Sequence, residues 1–259
     1  MATKDFAHLH VHTEYSMLDG AARLGDLFSY AKELGMSSMA TSDHGFLFGA
    51  FDFWRQAKAH DIKPIIGVEA YLTPGTHRTD RSRVRWGDGS RDDVSGGGAY
   101  THMTMWAETT EGMHNLFRAS SIASLEGQLY KPRMDREVLQ TYSKGLIATT
   151  GCPSGEIQTR LRLGQFDEAL QAASDFRDIF GKDNFYCEVM DHGLDIERNV
   201  QEDLHRLAKQ LNLPYVATND LHYTRQEDHT AHAALLCVQS GSTLTDPKRF
   251  KFDADNFYL

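Results

Sequence analysis

Short apolar stretches alternate along this chain with longer stretches in which apolar residues recur at helical spacing. Seven strands are predicted from the short stretches, over residues 6–12, 36–41, 62–72, 100–107, 145–149, 185–190 and 215–218. The first helical stretch repeats its apolar residues at Leu24, Leu27, Phe28, Ala31 and Leu34. Gly35 follows as a predicted C-terminal cap, and further helices are predicted between the later strands.

This alternation of strands and helices predicts an α/β fold in which the strands pair in parallel. Seven such units can close into a barrel or form a wide open sheet. With 259 residues, the chain can be one large α/β barrel domain or two smaller domains.

Side chains of the types that bind transition metals lie beside these strands, where the chain is expected to turn. They are His10, His12, Asp19, His44, Glu69, His102, Cys152, Asp220 and His222. Residues so far apart in sequence can share a metal site only if the strands converge in space. Their placement therefore predicts a metal-cluster hydrolase built on one end of a barrel.

Two pairs of candidate ligands have the spacing of a strand. His10 and His12 lie two residues apart, and so do Asp220 and His222 near the other end of the chain. Alternation along a strand places both members of such a pair on the same face. A solvated polar strand face is the other interpretation of one pair, but two such pairs favour metal binding.

The other candidates are ambiguous when they are taken singly. Glu69 follows a run typical of a buried strand, where a carboxylate needs a cation such as a metal or an arginine. Asp19 and His44 are also residues expected in turns or helix caps. His102 is compatible with a core histidine, and free buried cysteine such as Cys152 is common.

Composition and charge narrow the functional classes. A net charge of −9 disfavours a free-standing nucleic-acid binder, although the chain could act on nucleic acid that another domain presents. Three widely spaced cysteines argue against a disulfide scaffold and favour the reducing cytoplasm. No apolar run is long enough to span a bilayer, so no membrane association is predicted.

Residues 73–99, rich in Gly, Ser, Asp and Arg, are predicted to form a long solvated loop.

Six motifs, taken in order, resemble those of the PHP superfamily (polymerase and histidinol phosphatase). They are HLHVHTEYSMLDG, TSDHGFLFGA, PIIGVEAY, YTHMT, TTGCPSGEI and ATNDLHY. More narrowly, the chain resembles the N-terminal PHP domains of bacterial replicative DNA polymerase III alpha subunits over essentially its whole length. The later GSTLTDPKRFKFD resembles the segment through which those proteins continue into their polymerase portion.

This resemblance implies a distorted seven-stranded parallel barrel, a TIM-like (β/α)7 fold, with three divalent metals at one end. Residues 1–259 are expected to be a single PHP domain, with residues from about 240 onward beginning the connection to a polymerase domain. Glu69 is expected to bridge two metals. The implied ligands are His10, His12, Glu69 and Asp220 for one metal, Glu69, His102 and Cys152 for a second, and Asp19, His44 and His222 for the third.

The function implied by the resemblance is a proofreading 3′–5′ exonuclease that hydrolyses the terminal phosphodiester of DNA with metal-activated hydroxide. The catalytic residues are then expected to be Glu69, Asp220, His10 and His12. The Cys152 thiolate favours Zn²⁺ as the metal, with Mn²⁺ as the alternative. The implied partners are a DNA 3′ terminus, the polymerase domains of a longer chain, the sliding clamp and other replisome subunits.

Two other functions remain open from the sequence. One is a small-molecule phosphatase of the histidinol phosphatase type, and the other is a non-catalytic zinc-binding scaffold that stabilises a polymerase.

Glu188, Asp191 and His192 end a predicted strand near the same rim and are candidates to orient ligands. The remaining histidines are interpreted as surface residues, at His60, His77, His114, His205, His229 and His232.

Overall fold

The computed structural model describes residues 6–259 as alternating helices and strands. The helices are α1 Leu24–Glu33, α2 Ala50–Ala59, α3 Ser95–Gly98, α4 Thr110–Glu126, α5 Arg136–Tyr142, α6 Glu156–Arg162, α7 Phe166–Phe180, α8 Asp195–Leu211 and α9 His229–Ser240. A single 3₁₀ turn, Gln226–Asp228, precedes α9. Within residues 6–259, none of these helices combines the length and the apolar character needed to cross a bilayer.

The strands are β1 Ser38–Thr41, β2 Lys63–Leu72, β3 Thr101–Ala107, β4 Gln128–Leu129, β5 Lys131–Met134, β6 Leu146–Thr149, β7 Phe185–Val189 and β8 Tyr215–Ala217. They form one curled, half-barrel sheet in the order β4-β5-β2-β3-β6-β7-β8, with β1 paired to the first part of β2. The predicted α/β class is confirmed.

The sheet is mixed, so the expected all-parallel pairing is wrong at β3. This strand runs antiparallel to both of its neighbours, β2 and β6. The other pairs among β1, β2, β5, β6, β7 and β8 are parallel. Parallel strands are usually joined by a crossover helix, whereas the long connection from β2 to β3 contains only the single helical turn α3. The chain therefore re-enters the sheet from the opposite direction.

The predicted first strand is an extended segment that lies between β1 and the chain around Leu221. Its backbone accepts hydrogen bonds from the amides of Ala40 at His8 (2.8 Å) and Leu221 at His10 (3.0 Å). The amide of His12 in turn donates to the carbonyl of Leu221 at 2.7 Å. These bonds bring the first histidine motif beside the last one, although they are far apart in sequence.

Two apolar clusters cover the sheet. In the larger cluster, Leu116, Ala119 and Ala123 of α4 pack with side chains of β2 and β3 such as Val68 and Met105. The smaller cluster packs α1 and α2 against the N-terminal segment. Because helices cover the sheet through these residues, the polar side chains at the strand ends converge on a single rim.

The segment between β2 and β3 is held by one buried arginine, and so it is more than a solvated loop. The Arg133 guanidinium, 1% exposed, donates hydrogen bonds to four backbone carbonyls. Three of these carbonyls belong to the loop, at Arg78 (2.9 Å), Asp80 (2.8 Å) and Ala99 (3.2 Å). The Asp93 carboxylate gathers four further backbone amides of the same segment. These hydrogen bonds hold the segment between β2 and β3 in place on one side of the cleft described below.

Replacing Arg133 by methionine is expected to lower the free energy of unfolding by about 3 kcal/mol or more, because buried carbonyls lose charged donors. Urea denaturation followed by circular dichroism measures the change. Arg118→Met, at an exposed position of α4, is the matched control and should change stability by less than about 0.5 kcal/mol. Equal effects of the two substitutions would contradict this role of Arg133.

Candidate metal centre

The nine side chains predicted as ligands meet at one end of the sheet. His44, Cys152 and Asp220 follow the carboxyl ends of β1, β6 and β8, as the sequence pattern indicated. His102 instead lies at the beginning of β3, since that strand is reversed. The reversal places the first residues of β3 on the same rim as the last residues of its antiparallel neighbours, β2 and β6.

The Glu69 carboxylate lies at the middle of the cluster and is 1% exposed. Its two oxygens contact side chains from four separate parts of the chain. From Oε1 the distances are 3.0 Å to His102 Nδ1, 3.2 Å to Cys152 Sγ and 3.5 Å to His10 Nε2, and from Oε2 they are 2.6 Å to His44 Nδ1 and 3.7 Å to His12 Nε2.

A second carboxylate, Asp220, faces the first histidine pair. Its Oδ1 lies 3.2 Å from His10 Nε2 and 3.3 Å from His12 Nε2. The Asp220 backbone has a φ of +43°, in the left-handed region that residues with a side chain rarely adopt. This conformation is characteristic of functional sites, where the surrounding structure holds the strain.

A third carboxylate, Asp19, contacts His44 and His222. Its Oδ2 lies 2.6 Å from His44 Nε2 and 3.4 Å from His222 Nε2. Its own backbone carbonyl accepts a hydrogen bond from His232 Nε2 at 2.8 Å. His232 is 2% exposed, so the interpretation of this histidine as a surface residue is wrong. The residues next to His232 in the sequence do not indicate its contact with Asp19, which lies more than 200 residues away.

The donor atoms of this cluster fit divalent cations. Five buried side-chain atoms within it have no partner with hydrogen-bond geometry among residues 6–259: His10 Nε2, His12 Nε2, His44 Nδ1, Glu69 Oε2 and Asp220 Oδ1. Three sets of facing donors have their ligand atoms within 4.8 Å of one another: His10, His12 and Asp220; His44, Glu69 and His102; and His12, His44 and His222. Imidazole, carboxylate and thiolate together are a donor set typical of zinc.

The carboxylates, imidazoles and thiol of the cluster shift one another's pKa values. Burial alone would raise the pKa of Glu69, but the His102 and His44 charges hold it well below its usual range. Burial would lower the pKa of His44, but the Glu69 and Asp19 carboxylates raise it to about 10. Burial, together with the carboxylates of Glu69 and Asp220, raises the pKa of the Cys152 thiol. A cation bound here would take the place of these protons.

Glu188 orients His10 from behind. Its carboxylate, fully buried, accepts a hydrogen bond from His10 Nδ1 at 2.7 Å. The hydroxyls of Thr149 (2.5 Å) and Thr218 (2.7 Å) hold this carboxylate in place. Because the proton on Nδ1 is bonded to Glu188, Nε2 is the nitrogen of His10 that faces Glu69 and Asp220 and that would bind a cation.

Asp43 performs the same task for His12. Its carboxylate accepts hydrogen bonds from the amide and hydroxyl of Thr13 and from the hydroxyls of Ser16 and Thr41, at 2.7–2.9 Å. Ser16 Oγ in turn lies 3.0 Å from His12 Nδ1. The sequence around Asp43 does not indicate this role, because Thr13 and Ser16 lie about 30 residues earlier.

Residues 252–259, which we call the C-terminal clasp, hold the segment that carries Asp220 and His222. The Asn219 side-chain amide donates to the carbonyls of Asn256 (2.9 Å) and Tyr258 (2.8 Å). The amide of His222 donates to the carbonyl of Phe257 at 2.8 Å. Both flanks of Asp220 are therefore bonded to the clasp.

Of the three residues named at the rim of β7, only Glu188 contacts a predicted ligand directly. His192 is buried, with Nε2 2.9 Å from the carbonyl of Asn219 and its ring stacked on Phe257 at 3.9 Å. It therefore supports the clasp and the segment before Asp220. Asp191 is exposed and accepts the amide of Gly193 in a local turn.

A cleft of about 510 Å³ opens above the cluster. Asp19, His44 and His102 form its floor. The walls and rim are formed by Tyr15, Met17, Phe46, Phe48, Tyr71, Ser95, Gly96, Tyr100, Lys131, Ser154, Gln239 and Phe250. Three of the nine predicted ligands are thus reachable from solvent through this cleft.

The chain is similar to known proteins of one family. A family model described as "PHP domain" matches residues 8–192. The chain is 59% identical to the DNA polymerase III subunit alpha of Saccharopolyspora erythraea over 268 residues, covering 100% of this chain and 22% of that protein. It is 55% identical to the same subunit of Mycobacterium tuberculosis, covering 100% of this chain and 22% of that protein. The chain spans about a fifth of the length of these curated relatives.

A solved amidohydrolase from Chromobacterium violaceum shares 13% identity, covering 84% of this chain and 87% of that one, with a TM-score of 0.48. The resemblance to PHP domains and to polymerase III alpha subunits that the motifs indicated is confirmed by the sequence matches. Since the family model matches well over half of its residues, the chain belongs to the PHP domain family.

Proposed function

We propose that this chain is a metal-dependent phosphodiesterase that acts as a 3′–5′ exonuclease on DNA. The observation that carries the proposal is the buried Glu69 carboxylate, whose oxygens lie within 3.7 Å of four imidazoles and of the Cys152 thiol. Two of these imidazoles, His44 and His102, form the floor of an open cleft together with Asp19. The names of its relatives, DNA polymerase III alpha subunits, make a DNA 3′ end the expected substrate.

We assign the nine residues to three cations. His10, His12, Glu69 and Asp220 would hold the first, Glu69, His102 and Cys152 the second, and Asp19, His44 and His222 the third. The contacts support Glu69 as the bridge, because it faces His102 and Cys152 of the second set through Oε1, and His10 and His12 of the first set through Oε1 and Oε2 respectively. The softer thiol of Cys152 favours Zn²⁺ at the second position, with Mn²⁺ as the alternative metal.

Divalent cations bound here would activate water for attack on phosphorus and neutralise charge on the phosphate. The protein supplies the geometry for this chemistry. Glu188 holds the tautomer of His10, and Asp43, through Ser16, holds that of His12. Glu69 and Asp220 supply buried negative charge that favours binding of cations. Burial of the cluster excludes bulk water from all sides except the cleft.

We infer that other domains present the DNA to this centre. The net charge of −9 is unfavourable for binding DNA unaided. The relatives are about five times longer than this chain, so polymerase domains, and through them the sliding clamp and other replisome subunits, are the expected partners. Replication of bacterial DNA places such a protein in the cytoplasm.

The decisive experiment compares three substrates with the purified chain loaded with Zn²⁺ or Mn²⁺. We expect a 5′-labelled, 3′-mismatched DNA to be shortened stepwise from its 3′ end, and mononucleotides and histidinol phosphate to react far more slowly. Asp220→Asn should remove DNA hydrolysis while circular dichroism still reports a folded chain. Hydrolysis of the monoesters alone would establish a phosphatase instead, and fully loaded but inert protein would establish a zinc scaffold.

Metal binding is also expected to stabilise the fold. A cation at one hundred times its dissociation constant adds about 2.7 kcal/mol for each site that exists only in the folded state. Zn²⁺ should therefore raise the thermal midpoint, and EDTA should reverse the rise. His12→Ala should lose most of this increment, whereas His114→Ala, at an exposed position of α4, should retain it. The same increment in both variants would place the cation away from this cluster.

A further inference from the structure

Beside the metal centre, the cleft presents one cation and a pair of stacked aromatic rings. Lys131, at the start of β5, is the only Lys or Arg among the described residues that line the cleft. Its ammonium lies 5.3 Å from the centre of the Tyr71 ring. Tyr71 in turn packs against the predicted ligands His44, at 5.8 Å between ring centres, and His102, at 5.1 Å.

The Lys131 ammonium is not neutralised by the protein. Within residues 6–259 no carboxylate lies within 4.0 Å of it, although the chain carries an excess of acidic groups. A cation–π contact with Tyr71 positions the Lys131 ammonium and leaves the three N–H donors of the ammonium available. A lysine held in this way, next to a site for phosphate chemistry, is suited to bind a second anionic group.

The aromatic pair lies on the rim of the same cleft. Phe46 and Phe48 stack at 4.4 Å with an angle of 13° between their planes, and Phe48 is 69% exposed. Both follow His44 directly in the sequence, so the backbone turn that positions this ligand also positions the rings. An exposed large aromatic side chain in a cleft offers a face on which a nucleobase can stack.

We propose that Lys131 and the Phe46–Phe48 pair form a nucleotide subsite, in which the ammonium binds a phosphate one nucleotide away from the scissile bond and the rings stack on a base. The inference rests on the proposed function and names what that site selects. A volume of about 510 Å³ suits a ligand of nucleotide size. The occupant is a single-stranded DNA end, since only an unpaired strand presents both a free base face and its phosphates to one narrow cleft.

This subsite explains selection for a polynucleotide over a small phosphate ester. A phosphomonoester has no second phosphate for Lys131 and, if it lacks a base, nothing to stack on Phe48. The three cations proposed here would act on either kind of substrate. Discrimination would therefore come from Lys131 and the aromatic pair, because they contact parts of the DNA that do not react.

The test compares a short 5′-labelled single-stranded oligonucleotide with glycerophosphoglycerol, a diester without a base, an aromatic ring or a second phosphate. Lys131→Met and Phe48→Ala are each expected to lower the oligonucleotide-to-diester ratio of kcat/KM by about tenfold. Lys131→Arg should restore most of the ratio. The controls, Lys209→Met on α8 and Phe117→Ala on α4, remove exposed side chains that do not line the cleft and should leave the ratio unchanged.

A binding measurement separates failure of this inference from failure of the proposed function. Anisotropy of a fluorescent oligonucleotide in EDTA reports binding without hydrolysis. There, Lys131→Met should weaken binding and make the slope of log affinity against log salt shallower by about 0.7. If the parent chain cleaves neither substrate, the proposed function is wrong, and the anisotropy measurement alone then tests the subsite. Equal ratios and equal binding for Lys131→Met and Lys209→Met would overturn the subsite.

Discussion

Replacing Glu69 by glutamine is expected to lower DNA hydrolysis by about a thousandfold or more and to remove two of the three proposed cations. The amide has the size of the carboxylate but no charge, and one of its two ends is a donor. It would face the nitrogen atoms of His102 and His44, which lie 3.0 and 2.6 Å from the present oxygens. Mass spectrometry of metal content, alongside digestion of labelled DNA, measures both losses.

Glu108→Gln is the matched control for this substitution. Glu108 is exposed just beyond the end of β3 and contacts none of the predicted ligands through its side chain. It should retain parental activity and parental metal content. If Glu69→Gln bound as much metal as Glu108→Gln and cleaved DNA at the same rate, Glu69 would not bridge metals and the proposed centre would be wrong.

Replacing Asn219 by aspartate is expected to weaken metal binding at the position of Asp220 by ten- to a hundredfold. The Asn219 amide donates to two carbonyls of the C-terminal clasp, at Asn256 and Tyr258. A carboxylate at this position cannot donate and would repel both carbonyls. The segment would then lose part of the support that holds Asp220 in its left-handed conformation.

Competition with a chelator measures this change in affinity, and hydrogen exchange provides a readout that does not depend on metal. The amides of His222 and Tyr223, which are bonded to Phe257, should exchange faster in Asn219→Asp. Gln226→Glu is the matched control, because its amide also donates to the clasp, at Asp255 (3.1 Å), but it lies on the exposed side away from the ligands. Identical exchange and metal affinity in the two variants would contradict a positioning role for Asn219.

Much of the secondary structure was predictable because periodicity is a local property. Helix α7 lies between two of the later strands, as predicted, and α1 ends before Gly35, whose φ of +76° suits a glycine. The short hairpin of β4 and β5 and the helix α5 were missed, since a few residues carry too little pattern to distinguish a strand from a loop. The direction of β3 was also missed, because pairing depends on the path of the connection rather than on the strand itself.

The candidate ligands were recognised from their residue types, spacing and order in the chain. Their supporting partners were less accessible, because each contact depends on distant parts of the chain meeting. Glu188 approaches His10 across 178 residues, and His232 approaches Asp19 across 213. Nothing next to His232 distinguishes it from the exposed histidines. Likewise, Asn219 shows its role only when the clasp is folded back against it.

The amino-acid sequence by itself determined the α/β class, most element bounds and the set of metal-binding residue types, because each of these depends on patterns within a few residues or on motifs. Only the tertiary structure decided the mixed direction of the sheet, the central position of Glu69 and the side chains that orient the histidines. Those features arise from packing and hydrogen bonds between segments that are remote in the chain, and such contacts leave no local periodicity to detect.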